Sequence, residues 1–184
     1  VRSFGSGVGL VLARLAALLL TAGLLSWAAS GSAAGAVLGE AALDTQLGEA
    51  VVAAINEARV AQGRAPLRVS RQLRKAAGEH ALSMATLGYF SHSSANGSSV
   101  TRRIASFYGA GGSKSWAVGE VLIWRAGNMS AQSAVSAWLG SAGHANQVLG
   151  RWRDVGVAAV RAANAPGVYG GRSVTIIVVD FGRR

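Results

Sequence analysis

Cysteine is absent from the 184 residues, which excludes thiolate nucleophiles, thiolate metal sites and disulfides. Any chemistry must come from the three histidines, the carboxylates, the hydroxyls and water. The histidines differ in setting. His80 falls in step with Leu73, Ala77, Ala81 and Met84 at helical spacing and reads as a buried packing residue. His92 follows Phe90-Ser91 in a polar stretch, and His144 follows Gly143 at the start of a short helix. Neither lies on an apolar stripe, so both rings are free for proton transfer or metal ligation. Other enzyme signatures are missing: the chain has no His-Glu-x-x-His pair, Gly-x-Ser-x-Gly elbow, phosphate-binding loop or Ser-x-x-Lys.

The elements that must position these groups follow from periodicity and punctuation. Leu47 to Gln62 reads as an amphipathic helix with Leu47, Val51, Ala54, Ile55 and Ala58 on one face. Gly63 ends it and Pro66 forbids its continuation. Ser70 is a good N-cap for a second helix that runs to about Leu87 and stops at Gly88. Tyr89 to Gly119 is rich in Gly and Ser and reads as loop, with one helical piece over Val100 to Tyr108; such loops tend to carry sites. A short strand is expected at Val121 to Trp124, a third helix from its cap at Ser130 to Leu139, and a helical turn over Ala145 to Leu149. Asp154 to Arg161 and Ser173 to Phe181 are β-rich runs separated by hairpin signals, Asn164 to Gly167 and Gly170-Gly171. Helices covering an antiparallel sheet, an α+β fold, is the architecture this order supports. Trp116, Trp124, Trp138 and Trp152 read as core or cleft wall.

Residues 1–34 carry Arg2 and Arg14, an uncharged run from Leu15 to Ala29, and small residues from Ser30 to Gly35. This is the pattern of a secretory signal peptide, with cleavage expected after Ala34. The alternative is an uncleaved N-terminal membrane anchor, although the apolar run is shorter than the ~20 residues that span a bilayer comfortably. Either reading places the domain outside the cytoplasm, secreted or extracytoplasmic, with membrane contact only through this segment. Residues 35–46 read as a linker and 47–184 as the folded domain. The formal net charge is +10; Arg2 and Arg14 account for two of those charges, which leaves +8 on the rest of the chain. Such a charge favours polyanions. The basic residues are scattered and almost all arginine, and read as a solvated basic surface with no specific nucleic-acid groove.

Six pieces of sequence carry a resemblance. They are Ile55-Asn56-Glu57-Ala58-Arg59 with Gly63, Pro66 and Leu67; Ala76, Ala77 and His80; Gly88-Tyr89-Phe90-Ser91-His92 with Gly97 and Arg103-Ile104; Gly119-Glu120; Trp138 with Ser141-Ala142-Gly143-His144, Asn146 and Leu149; and Val155-Gly156-Val157 with Val179-Asp180-Phe181-Gly182. In this order, over about 47–184, they resemble the CAP superfamily (cysteine-rich secretory protein, antigen 5 and pathogenesis-related 1, SCP-like) of the bacterial extracellular type. The resemblance implies a three-layer α-β-α sandwich with a central antiparallel sheet. It also implies a cleft in which His92 and His144 match the two hallmark histidines and Glu120 the first hallmark acid. Val121 stands where the family has Asn, Ala145 where it has Arg, and Ser141 near the place of the second hallmark acid, so the four-residue site is incomplete.

Two imidazoles beside a carboxylate can hold Zn²⁺ or another divalent cation through His92 and His144, as a weak, open site with water completing the shell. They can equally form a metal-free cluster in which Glu120 favours the protonated form of one ring. Two functions follow. The first is a non-catalytic binding module of the cell envelope, engaging a wall polymer, peptide or lipid through this cleft and the basic surface. The alternative is a metal-assisted extracellular hydrolase with Glu120 as base.

Overall fold

A computed structural model of the chain describes residues 40–184; the expected leader, its cleavage point and residues 35–39 of the expected linker lie outside them. The elements run β1 Ala41–Leu43, α1 Thr45–Ala61, β2 Arg68–Val69, α2 Arg71–Leu87, α3 Val100–Ala105, β3 Ala117–Ala126, α4 Ala131–Leu139, α5 Ala142–Val148, β4 Asp154–Ala165, a 3-10 turn Gly167–Tyr169, and β5 Arg172–Arg183. Strand order is β1-β4-β5-β3, all antiparallel, with β2 lying parallel beside β4. No helix among the described residues is long and apolar enough to cross a membrane.

The helices begin and end where side chains can satisfy their orphan backbone groups. Asp44 Oδ1 accepts the Leu47 N–H at 2.9 Å and starts α1. Ser70 caps α2, and Gly88, at φ 72°, ends it in the left-handed region. Ser99 and Ser130 cap α3 and α4. Residues 41–44, expected in a linker, are part of the fold: β1 pairs with β4, and Asp44 also accepts from Arg161 Nε at 2.6 Å. Three residues are too few to carry a periodicity, so only the waiting edge of β4 makes a strand of them.

Alternation along β4 and β5 divides the core in two. Val155, Val157 and Ala159 with Ile177, Val179 and Phe181 pack under α1, α4 and α5, against Leu47, Val51, Ile55 and Trp138. Ala158 and Val160 with Ile176 and Val178 face α2, against Ala77, Ala81 and Met84. α3 extends this second layer through Leu73, Ile104 and Tyr108. The result is an α-β-α sandwich.

Two close approaches fix how α2 lies on the sheet. A Cβ on Gly156 would stand 2.1 Å from the Arg74 nitrogen, so only glycine lets the first turn of α2 rest on β4. At the other end, Gly88 and Gly167 meet backbone to backbone, and the Val168 N–H donates to the Gly88 carbonyl at 2.9 Å. Together they set where the chain leaves α2 and enters the loop that carries His92.

Candidate functional site

β3 is the edge strand beside β5, and the ladder places Glu120 directly opposite Asp180. Asp180 shares the parity of Ile176 and Val178, so both acids point to the α2–α3 side of the sheet. The Glu120 side chain is only 1% exposed. One of its oxygens accepts from His92 Nδ1 at 2.7 Å, and the other is paired with the Arg103 guanidinium from α3. An ionised carboxylate can only accept, so the shared proton sits on His92 Nδ1. The ring itself is 54% exposed, and its Nε2 has no hydrogen-bond partner among the described residues.

The loop is held from two sides. Arg103 donates to the His92 carbonyl at 2.8 Å and to Ser94 Oγ at 3.3 Å. His80 Nε2 donates to the Ser91 carbonyl at 2.9 Å. His80 is buried, as its place on the helix implies. Burial, and secondarily the Arg103 charge, keep its pKa below the ordinary imidazole value. Trp138 is core and bonds the Leu122 carbonyl, Trp152 stacks on Phe181, and Trp124 meets Tyr169 edge-on, so these indoles are occupied by the protein itself.

Asp180 is fully buried, and neither carboxyl oxygen has a hydrogen-bond partner among the described residues. Burial first, then the negative charge of Glu120, push it well above the usual carboxylate range, while Arg103 opposes the shift. The neutral form of Asp180 is thereby favoured over the ionised one.

His144 lies on α5, in the layer on the other face of the sheet. One turn further along, Gln147 covers Gly119 of β3, where a Cβ would come within 2.6 Å of its Oε1. His144 is exposed and makes no hydrogen bond to His92 or Glu120. Ser141 is the N-cap position of α5 without a side-chain capping bond.

Among the described residues no group of three or more His, Cys, Asp or Glu side chains is placed to hold a metal ion. The position a cation would take on Glu120 is filled by the Arg103 guanidinium. Arg103 and Asp180 stand in the motifs that carry the resemblance, but the sequence reading gave neither a place in the site. The available signal was Asp180, an acid inside the apolar run Thr175 to Phe181 at a core-facing position.

The sandwich, with its edge-strand glutamate and loop histidine, defines a class. The profile of the CAP, cysteine-rich secretory protein family matches residues 52–181, and the chain belongs to that family. No curated relative matches it by sequence. Among solved structures, an outer surface protein from Borrelia burgdorferi shares 21% identity at a TM-score of 0.65, with 79% of this chain and 98% of that one covered. An extracellular protein containing an SCP domain, from Bacillus anthracis strain Ames, shares 22% identity at 0.58 over 77% of this chain and 41% of its own. At these identities the likeness is one of fold.

Proposed function

We propose that the chain is an extracytoplasmic, envelope-associated binding module whose cleft engages a wall component, peptide or lipid through His92, without turnover. The observation that carries this reading is the state of Glu120: it is buried, and both its oxygens are taken by His92 and Arg103. A general base needs an oxygen within reach of a water or substrate proton, and Glu120 has none free. What the site offers instead is one oriented imidazole with an open Nε2, an acceptor while the ring is neutral and a donor once it is protonated. The export-type leader supports an extracytoplasmic location, as do an outer surface protein and an extracellular protein that share the fold.

Co-sedimentation of the domain with purified bacterial cell wall over a salt series tests the reading. Wild type is expected to sediment and His92→Ala to be weakened. Equal sedimentation of the two, no binding at low salt, or steady release of soluble fragments from the wall would overturn it.

A further inference from the structure

A second concavity, of about 470 Å³, lies where the first turn of α2 meets the start of β4 and the end of β5. Arg68, Arg71, Arg153 and Arg184 line it, with Tyr108 and Asp154. These arginines come from three separate stretches of chain, and the fold gathers them. Asp154 is engaged already: Arg68 pairs with it at 2.8 Å and the Tyr108 hydroxyl donates to it at 2.7 Å. Arg184 is held in place, its guanidinium 4.2 Å from the centroid of the Tyr108 ring and donating to the Gly109 carbonyl and Gln72 Oε1. The side chains of Arg71 and Arg153 are exposed and have no hydrogen bond or ion pair among the described residues. Three cations thus surround a recess whose one acid is spent.

The local backbone adds to this. The first turn of α2 carries no acid, although the positive end of a helix favours one. It carries Arg71 and Arg74 instead, with Lys75 just beyond, an arrangement that opposes the helix dipole and that a bound anion would relieve. Arg74 and Lys75 carry the positive charge from the recess to the rim of the adjoining groove between α1 and α2, whose lining also holds Asp44, Glu49 and Glu79. Arginine forks match phosphate oxygens two at a time, which suits a phosphate better than diffuse attraction does.

We propose that this recess binds one phosphate group of a linear phosphate-bearing polyanion, whose following phosphates run along Arg74 and Lys75. The free arginines line a recess rather than a plane, which favours a thin polymer over a bilayer surface. Base stacking has no platform there, since Tyr108 is buried under Arg184. The proposal rests on the envelope-module reading only for where such a polymer would be met; the site is separate from the His92 cleft.

Fluorescence anisotropy with labelled linear polyphosphate, between ~50 and ~200 mM salt, tests it. With about three phosphates neutralised, one in the recess and one each at Arg74 and Lys75, the log–log salt slope is expected near roughly −2. Arg71→Gln/Arg153→Gln should weaken binding at least about tenfold and flatten the slope by roughly 0.7, the loss of the one phosphate held in the recess. Arg64→Gln/Arg125→Gln, an equal loss of charge at exposed sites outside the recess, should leave both nearly unchanged. Melting curves check that each variant is folded. Equal losses in the two double variants would overturn the proposal. So would tighter binding to a single-stranded DNA oligonucleotide, or to phosphatidylserine vesicles, than to polyphosphate. Loss of polyphosphate binding in His92→Ala would move the ligand to the cleft and also overturn it, whereas retained binding alongside lost wall sedimentation would separate the two sites.

Discussion

Neutralising Glu120 exposes how the buried charges depend on one another. Arg103 is 8% exposed and its partner Glu120 1%, and removing one member of such a pair costs about 3–5 kcal/mol because a buried charge is left alone. In Glu120→Gln, however, Asp180 stands directly across the β3–β5 ladder. Its neutral form is favoured there by burial and by the Glu120 charge, against Arg103. Once Glu120 is neutral, Asp180 can ionise and pair electrostatically with Arg103, recovering about 1–2 kcal/mol of the loss. The single variant should therefore lose only about 2–3 kcal/mol, and Asp180→Asn alone about 1 kcal/mol or less. The double variant, with no carboxyl left, should lose more than the sum by about 1–2 kcal/mol. Urea unfolding of the four proteins at pH 7, with m-values compared, reads this directly. Additivity within about 0.5 kcal/mol would refute the claim that Asp180 takes over.

Gly156→Ala should be among the most damaging single changes, since the new methyl would meet the α2 backbone at 2.1 Å. A loss of about 3 kcal/mol or more is expected, and a melting temperature close to wild type would contradict the packing described. His80 is held below its ordinary value of 6.5 by burial and the Arg103 charge, so the unfolded chain takes up a proton first as pH falls. Its stabilising effect is present above pH 6.5 and lost on acidification below it; the wild-type melting temperature should fall faster between pH 7 and 5 than that of His80→Gln, and parallel curves would count against this. Asp44→Ala removes the α1 cap and the Arg161 partner and should lower stability by about 1–2 kcal/mol in a denaturant titration.

What was legible in the sequence was whatever repeats or punctuates. The α1 and α2 faces, the caps at Ser70 and Ser130 and the stop at Gly88 stand where periodicity and capping put them. β3 runs over Ala117–Ala126 rather than Val121 to Trp124, because Gly119 and Glu120 interrupt its apolar pattern and only pairing with β5 carries the strand through them. β1 and β2 are three and two residues long and have no pattern of their own. His92 and Glu120 were legible through the family resemblance, and the structure joins them. Arg103 was legible as a motif residue but its buried role was not: beside Arg102 it reads as a surface pair, and only the carboxylate brought to it by β3 makes burial tolerable. The arginine recess was hidden for the same reason, since Arg68, Arg71, Arg153 and Arg184 come from three separate stretches of chain.

Binding through the cleft depends on which nitrogen of His92 faces outward. Ring ¹⁵N NMR of the domain, at a pH where the ring is neutral, should find the proton on Nδ1 and Nε2 bare, with the Nδ1 signal shifting in Glu120→Gln. A proton on Nε2, or a His92 spectrum indifferent to Glu120→Gln, would mean that Glu120 does not orient the ring and that the proposed contact is wrong.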